Sequence, residues 1–313
     1  TDMESPFTHN TIASGNDFLS RKREVSQTVL NIRNRINTVI YEPPKTGKDS
    51  LVHMAISQCP GLSTAYIDLL SIVDNGDLSH RLQAADGHTL IYIKNFQSIL
   101  RLDDWSKAVH AISRQMLRDD APVYIITGSG INAMKHIFED HKLMYRQYER
   151  VRFSAIDERS VTEHIVRTFL KVGRVVSQEQ AEYIYNIADG HPWYIWQIAD
   201  YCFNITKGYL SGNAVTEAVD TLLYTHSVRF QETVDNLSRY QIYFLKAVFD
   251  GISKSSSSEV IERYRLNSSA NVFRVKEALA KKEVITVDAP DTPRIIDPMF
   301  RLWLARNYFN EQQ

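Results

Sequence analysis

The chain has 313 residues, a formal net charge of -1, 43% hydrophobic residues and two cysteines. This length accommodates two or three domains, and the near-neutral charge gives no support to bulk electrostatic binding of nucleic acid. No apolar run reaches the roughly 18 residues of a membrane-spanning helix, and no basic segment leads into an apolar one near the N-terminus. We therefore expect a cytoplasmic protein without membrane contact, in which Cys59 and Cys202 are buried free thiols.

The first half of the chain alternates between strand-like and helix-like segments. Short runs rich in β-branched residues predict four strands, at residues 37–41, 64–70, 88–93 and 123–127. The segments around them carry apolar residues at helical spacing, as in the run with Trp105, Val109, Ile112 and Met116. Strands that alternate with helices need crossover connections, so the fold class predicted here is α/β with a parallel sheet.

The alternation stops near residue 155, and the chain from 157 to about 230 reads as successive helices. From Tyr240 onward, three helical segments precede two strand-like runs at 284–287 and 294–296, with a turn-rich linker at 288–293. Three helices followed by a β-hairpin are typical of a winged helix. The predicted domains are an α/β domain at 1–155, a helical domain at 156–237 and a winged-helix domain at 238–313.

The segment from Tyr41 to Leu51 lies between the first predicted strand and the following helix, where a phosphate-binding loop would be. Such a loop follows the pattern G-x-x-x-x-G-K-[ST]: backbone N–H groups surround the phosphates, and the hydroxyl holds Mg²⁺. Glu42 stands at the first glycine position and Asp49 at the hydroxyl position. The candidate nucleotide-binding residues in this altered loop are Thr46, Gly47, Lys48, Asp49 and Ser50.

Several short strings along the chain carry a resemblance to a known family. They are Pro6-Phe7 with Arg21 and Glu24, Thr46-Gly47-Lys48, Phe96-Gln97, Thr127-Gly128-Ser129, Gly190-His191-Pro192 and the run from Asp297 to Leu304. In order and spacing, the chain resembles the archaeal-ATPase-like P-loop proteins, relatives of the AAA+ and STAND ATPases that include Bacteroidetes-type ATP-binding proteins. The resemblance covers nearly the whole chain and implies a P-loop NTPase domain, a helical lid and a C-terminal winged helix.

The resemblance also implies an acidic pair at the end of the third strand, where one carboxylate supports Mg²⁺ and the other polarises the attacking water. Lys94 and Asn95 stand at these two positions. A charged lysine cannot coordinate a metal, and asparagine cannot act as a general base. With Asp49 in place of the loop hydroxyl, only Lys48 is left of the four expected groups, so we expect a degenerate site with no catalytic residue and no metal ligand.

In the family, the loop hydroxyl and the first acidic residue face each other across the metal. We therefore predict an ion pair between Asp49 and Lys94 at the metal position; the alternative is that both are independent surface residues. ATP or ADP could bind without Mg²⁺ through Lys48 and the loop amides. A negative charge about 4 Å from the phosphate costs on the order of 4 kcal/mol at an effective dielectric near 20, unless Lys94 neutralises Asp49.

Three further positions have both a functional and a structural interpretation. Thr127 and Ser129 follow the fourth strand, where the resemblance places a polar sensor, although Ser and Thr at strand ends also form turns. Pro192 lies in the string that matches a lid motif able to touch the nucleotide base. Proline is also common at the first position of a helix, which explains Pro192 without any ligand.

The third helix of the predicted winged helix, at 268–282, is of the kind that enters a DNA major groove. Its candidate DNA contacts are Asn271, Arg274, Lys276, Lys281 and Lys282. From residue 238 onward, however, twelve basic residues exceed nine acidic ones by only three, which is modest for phosphate contacts. Packing or protein contact is therefore the alternative role of this helix.

Taken together, these features predict a non-hydrolysing scaffold or regulator that requires no cofactor and acts through an unknown protein partner or through DNA. Two alternatives stay open from the sequence. One is an ATP-binding protein with weak or partner-assisted ATPase activity, and the other is a DNA-binding regulator with a vestigial nucleotide domain.

Overall fold

The computed structural model describes residues 4–9, 11–12 and 21–309. The chain divides into two compact units between Ala155 and Ile156, and the described N-terminal residues 4–9 and Thr11 group with the second unit. None of the helices within the described residues combines the length and the apolar character that crossing a membrane requires.

The first unit alternates helices and strands, as the periodicity predicts. Its elements are α1 Lys22–Arg33, β1 Thr38–Tyr41, α2 Lys48–Ser57, β2 Thr64–Asp68, α3 Asn75–Ala84, β3 Leu90–Lys94, α4 Trp105–Met116, β4 Val123–Gly128, α5 Ile131–Lys135 and β5 Glu149–Arg150. The second strand ends two residues earlier than predicted because a 3₁₀ turn begins at Leu69, with the Asp68 carboxylate accepting the Leu70 N–H. The two-residue strand β5 was not predicted from the sequence.

The five strands form the predicted parallel sheet, in the order β2-β3-β4-β1-β5. Successive strand residues point to opposite faces and enter two separate hydrophobic clusters. Val39, Ile91 and Ile126 pack with α3 and α4, whereas Ile40 and Ile125 pack with α1 and α2. Because the strands are parallel, the carboxyl ends of β1, β3 and β4 meet at one edge, and the loop after β1 lies there.

The second unit contains the predicted run of helices and then a β-hairpin. Its elements are α6 Glu158–Leu170, α7 Gln178–Ile187, α8 Pro192–Ile205, α9 Ala214–Asp235, α10 Arg239–Phe249, α11 Ser258–Arg263, α12 Ser269–Lys281, β6 Ile285–Asp288, β7 Thr292–Ile295 and α13 Pro298–Trp303. The hairpin turn is shorter than predicted, since Thr292 and Pro293 belong to β7. Pro293 is tolerated in a two-stranded sheet, where each strand has one unpaired edge.

A polar cluster joins the helices of the second unit to its C-terminal end. Asp297 caps α13 by accepting the N–H groups of Met299 and Phe300. The same carboxylate accepts the buried Tyr194 hydroxyl of α8 at 2.7 Å and the Arg229 guanidinium of α9 at 3.3 Å. Asp297 therefore contacts two helices that lie far from it in the sequence, and the helical segment and the winged helix pack as one unit.

The predicted boundaries 1–155 place the N-terminal string Pro6-Phe7 in the α/β unit. In the structure this string belongs to the second unit instead. Phe7 is 4% exposed, and its ring packs against those of Phe169, Trp196 and Phe203 in the second unit. The packing of Phe7 in the second unit could not be predicted from the sequence, because a single apolar side chain in a polar segment forms no periodic pattern.

We expect Phe7→Ala to destabilise the second unit by about 3 kcal/mol or more, because it removes a buried aromatic ring and leaves a cavity. Urea unfolding followed by tryptophan fluorescence tests this, since Trp196 contacts Phe7 directly. The matched control is Phe273→Ala, which removes a side chain that is 57% exposed and should change the free energy of unfolding by less than about 0.5 kcal/mol. Equal effects of the two substitutions would contradict the packing of Phe7.

Candidate nucleotide-binding site

The loop between β1 and α2 joins a parallel strand to the N-terminus of a helix, which is the position of a phosphate-binding loop. Gly47 precedes α2 with φ +93°, a left-handed conformation that a side chain would strain. The Glu42 N–H donates to the Gly128 carbonyl, which fixes the start of the loop to the end of β4. Pro43 and Pro44 have no N–H group, so only the later residues of the loop can donate to a phosphate.

Lys48, the residue that matches the pattern best, is folded back onto its own loop. Its ammonium donates to the carbonyls of Glu42 at 2.9 Å and Pro43 at 2.7 Å. The residue is 7% exposed, and burial lowers the pKa of Lys48 to about 8. The ammonium therefore closes the loop in this structure, and a phosphate would have to replace the two carbonyls.

The ion pair predicted between Asp49 and Lys94 is present. The Lys94 Nζ lies 2.6 Å from one Asp49 carboxylate oxygen, and the Tyr92 hydroxyl donates to the other. Although burial raises the pKa of Asp49, the hydrogen bonds from Lys94 and Tyr92 lower it more, so the net pKa lies below the usual value. The Asp49 carboxylate is thus held in its charged form by two donors from β3.

The two predicted sensor residues, Thr127 and Ser129, lie near the contacts of Asp49, Lys94 and Tyr92. Thr127, at the end of β4, is buried with its hydroxyl 3.3 Å from the Tyr92 hydroxyl. The Ser129 N–H donates to the side-chain carbonyl of Gln97, at 3.1 Å, which ties the ends of β4 and β3 together. Thr127 is consequently two hydrogen bonds from Asp49, whereas the Ser129 amide serves a turn contact.

Asn95 turns away from the loop. It adopts a left-handed backbone conformation with φ 54°, and its side-chain amide donates to the Asp68 carboxylate at 2.8 Å. Asp68 is the partner of Lys94 in the register of β2 and β3. The side chain at the position expected for a water-activating carboxylate is therefore an amide that is already bonded to the neighbouring strand.

Tyr92 and Asp68 are functional neighbours that sequence reasoning missed. Tyr92 reads as a core residue within an apolar strand, and Asp68 reads as the last residue of a different strand. The available signal was positional, since residues two apart on a strand share a face, which places Tyr92 beside Lys94. Recognising Asp68 would have required the order of the strands in the sheet.

Arg21 and Glu24, two residues that carried the family resemblance, support the loop from the side. Arg21 donates to the Ser154 carbonyl at 2.8 Å and to the Thr46 carbonyl at 3.5 Å. The Glu24 carboxylate accepts the Ser154 N–H at 2.9 Å. Glu42 accepts the Phe153 N–H at 2.8 Å, and burial raises the pKa of Glu42. The segment after β5 therefore holds the loop through buried polar contacts.

Mg²⁺ does not fit this set of side chains. Mg²⁺ binds oxygen ligands at about 2.0–2.1 Å in octahedral geometry. Here the single carboxylate at the expected position is paired with an ammonium, and its neighbours are Tyr92 and Thr127. Among the residues that the structure describes, no group of three or more His, Cys, Asp or Glu side chains is placed to hold a metal ion.

Most of the candidate DNA-contact residues on α12 are engaged within their own domain. Asn271 is buried and donates to the Leu266 carbonyl, and Lys276 forms an ion pair with Asp291 at 2.8 Å. Lys282 donates to the Asn236 carbonyl. Arg274 donates to Asn271, and Arg274, Lys281 and Lys282 are exposed.

The exposed face of α12 is chemically mixed rather than basic. Phe273 and Glu277 are exposed on it together with Arg274 and Lys281. An aromatic side chain and a carboxylate among two cations are more typical of a surface for protein contact than of one for phosphate contact. Pro192 is the first residue of α8, in the second unit, and it occupies the helix-start position that explains it structurally.

Comparison with known proteins agrees with this architecture. A family profile described as a probable winged helix domain matches residues 228–306. No curated protein matches the sequence. Among solved structures, the chain is similar to the Walker-type ATPase PABY2304 of Pyrococcus abyssi, at 15% identity and a TM-score of 0.72, with 95% of this chain and 99% of that chain covered.

Two further similar structures are DNA-related proteins. One is the Thermotoga maritima RuvB Holliday junction branch migration motor, at 14% identity and a TM-score of 0.55, with 94% and 97% of the two chains covered. The other is the Aeropyrum pernix ORC1 protein in complex with DNA, at 10% identity and a TM-score of 0.54, with 94% of each chain covered. At these identities the likeness establishes the fold: an AAA+ type P-loop ATPase fold with a C-terminal winged-helix domain. The resemblance to archaeal-ATPase-like proteins is confirmed at the level of the fold.

The coupling between Asp49 and Lys94 can be measured by a double-mutant cycle. The side chains are 39% and 28% exposed, and Tyr92 shares the carboxylate, so we expect a coupling energy of about 1 kcal/mol from Asp49→Ala, Lys94→Ala and the double variant. The control cycle uses Arg294 and Asp288, which are 55% and 50% exposed and should couple by less than about 0.5 kcal/mol. Indistinguishable coupling energies would contradict a site-specific pair.

The lowered pKa of Asp49 predicts that its contribution to the free energy of unfolding depends on pH. The folded-state pKa of Asp49 lies below the unfolded value of about 3.9, so its contribution is complete above that value and is lost as the pH falls through the folded-state pKa. The difference in unfolding free energy between the wild type and Asp49→Ala should therefore be constant from about pH 5 to 7 and shrink below about pH 4. Urea titrations at these pH values measure it.

Proposed function

We propose that this protein is a non-hydrolysing member of the P-loop ATPase fold, and that it acts as a scaffold or regulator through macromolecular contacts of its second unit. The observation that carries the proposal is the ion pair between Asp49 and Lys94. It puts an ammonium where phosphoryl transfer requires a metal and the carboxylate that supports it. The two buried free thiols, Cys59 and Cys202, are consistent with action in the reducing cytoplasm.

Three substitutions at the site support the absence of hydrolysis independently of one another. A carboxylate replaces the loop hydroxyl at Asp49, and an ammonium replaces a metal-supporting carboxylate at Lys94. At Asn95, an amide that cannot accept a proton replaces a general base and is bonded to Asp68. Since positioning and charge neutralisation supply nearly all the catalysis in phosphoryl transfer, the loss of these groups removes its main sources.

Single-turnover ATP hydrolysis in the presence of Mg²⁺ tests the proposal. We expect the wild-type rate to equal that of Lys48→Ala, because neither chain has a metal-supporting carboxylate or a general base. The matched positive control is the triple variant Asp49→Ser, Lys94→Asp and Asn95→Glu, for which we expect a rate at least about tenfold above the wild type. A wild-type rate that disappears in Lys48→Ala would instead establish the alternative, an ATPase of weak or partner-assisted activity.

The partner is proposed to be a protein rather than DNA. Support comes from α12, where Lys276 and Lys282 are bonded within the domain and Phe273 is 57% exposed beside Glu277. The DNA alternative rests on the winged-helix match and on the ORC1 protein, whose structure contains DNA.

Fluorescence anisotropy of a short labelled duplex discriminates between these partners. At about 50 mM salt, where phosphate contacts are strong, we expect no shift at protein concentrations up to about 10 μM. Of the five candidates, Arg274, Lys281 and Lys282 are exposed, and Lys282 is already bonded to the Asn236 carbonyl. The control is Arg274→Ala with Lys281→Ala. A shift that weakens with salt and is lost in this double variant would favour the DNA-binding regulator.

A further inference from the structure

The disagreement between this site and Mg²⁺ has a direct electrostatic origin. A metal ion in contact with Asp49 would lie within a few ångströms of the Lys94 ammonium, which is 2.6 Å from the same carboxylate. At an effective dielectric near 20, a dication and a monocation about 4 Å apart repel by on the order of 8 kcal/mol. Because this repulsion opposes any metal ion that contacts Asp49, the Lys94 ammonium disfavours Mg²⁺ at this position.

We infer that Lys94 is a tethered cation that takes the place of Mg²⁺, so that the phosphates of ADP or ATP bind at this loop without a divalent cation. This inference rests on the proposed function, because it concerns the ligand of the same non-hydrolysing site. It also goes beyond that function, since a scaffold needs no nucleotide. The ligand class is a nucleoside di- or triphosphate in its metal-free form.

The charges around the loop support metal-free binding. The two oxygens of Asp49 are bonded to Lys94 and Tyr92, and Lys48 lies near the second carboxylate of the loop, Glu42. Without Lys94, the Asp49 carboxylate would face a phosphate uncompensated, at a cost on the order of 4 kcal/mol at about 4 Å. With Lys94, the charge of Asp49 is offset, and the ammonium can donate to a phosphate oxygen as well as to Asp49, because it has three protons.

The loop also supplies donors that do not depend on a metal. Lys48 lies in the loop, 2.7 Å and 2.9 Å from two backbone carbonyls, and its ammonium would exchange these two acceptors for phosphate oxygens on binding. Gly47 adopts a left-handed conformation directly before α2, and the N-terminus of this helix favours an anion. Arg21 adds a further cation beside the loop through its contact with the Thr46 carbonyl.

Isothermal titration of the full chain with ADP and ATP, in EDTA and again with excess Mg²⁺, tests the inference. We expect wild-type dissociation constants that agree within about threefold between the two conditions. Lys94→Ala should weaken binding in EDTA by at least tenfold, which is about 1.4 kcal/mol. Mg²⁺ should restore part of that loss, because the repulsive ammonium is gone. Lys94→Met is the second variant, since it keeps the length of the side chain and loses only the charge.

The control Lys276→Ala removes a lysine that is ion-paired in the winged helix and should leave both dissociation constants unchanged. Wild-type binding that appears only with Mg²⁺, or no binding of either nucleotide up to about 1 mM, would overturn the inference. Neither result would affect the proposed absence of hydrolysis, which the single-turnover assay decides. Conversely, hydrolysis by the wild type would overturn the proposed function even if ADP bound equally well in EDTA.

Discussion

The Lys94 Nζ lies 2.6 Å from an Asp49 carboxylate oxygen at the start of α2, and the properties of the candidate nucleotide-binding site depend on this contact. Partly exposed ion pairs contribute up to about 1 kcal/mol, so the pair is a minor term in the stability of a 313-residue chain. Its larger effect is on what else can bind. The contact sets the sign of the charge at the position where a P-loop enzyme holds its metal, and it fixes Asp49 as a carboxylate over the physiological pH range.

The order of the strands explains why this contact needs a lysine and a tyrosine. Strand β4 lies between β1 and β3, and neighbouring strands are about 4.8 Å apart, so a group on β3 must reach across roughly 10 Å to the loop that follows β1. The side chains of Lys94 and Asp49 together span this distance and end in the 2.6 Å contact. Tyr92, two residues earlier on the same face, reaches Asp49 and passes Thr127 of β4 on the way. A shorter carboxylate at position 94 would leave a gap there, which is the space a metal ion fills.

Most of the fold followed from local patterns, whereas much of the site did not. Four β-branched runs predicted β1 to β4 because buried parallel strands are continuous apolar segments, but Glu149–Arg150 was too short and too polar to be recognised as β5. The ion pair was predictable because two reversed charges fell at positions that face each other. The role of Tyr92 was not predictable, because the sequence does not show whether a buried tyrosine only packs in the core or also donates its hydroxyl to a site.

The α12 helix is a second place where the local sequence pattern did not predict which side chains are available for binding. Its basic residues were candidates for DNA contact because helical periodicity places several of them together. Periodicity could not show that Asp291, in the hairpin turn, pairs with Lys276 or that Asn271 is buried. Which face of a helix is exposed depends on contacts with residues far away in the sequence. The local sequence pattern therefore cannot predict which side chains of α12 are available to a partner.

The energetic coupling at the loop gives a reason for the two altered positions to occur together. Asp49 without Lys94 would leave a carboxylate, 39% exposed, beside Tyr92 and close to any bound phosphate. Lys94 without Asp49 would leave an ammonium at the edge of the sheet with the Asp68 carboxylate as the acidic group next to it in the strand register. Either single change is unfavourable for folding or for an anionic ligand, and the pair is compatible with both. The loop therefore keeps the position of a phosphate-binding loop between β1 and α2, and the pair of Asp49 and Lys94 is the basis on which we propose that hydrolysis is absent.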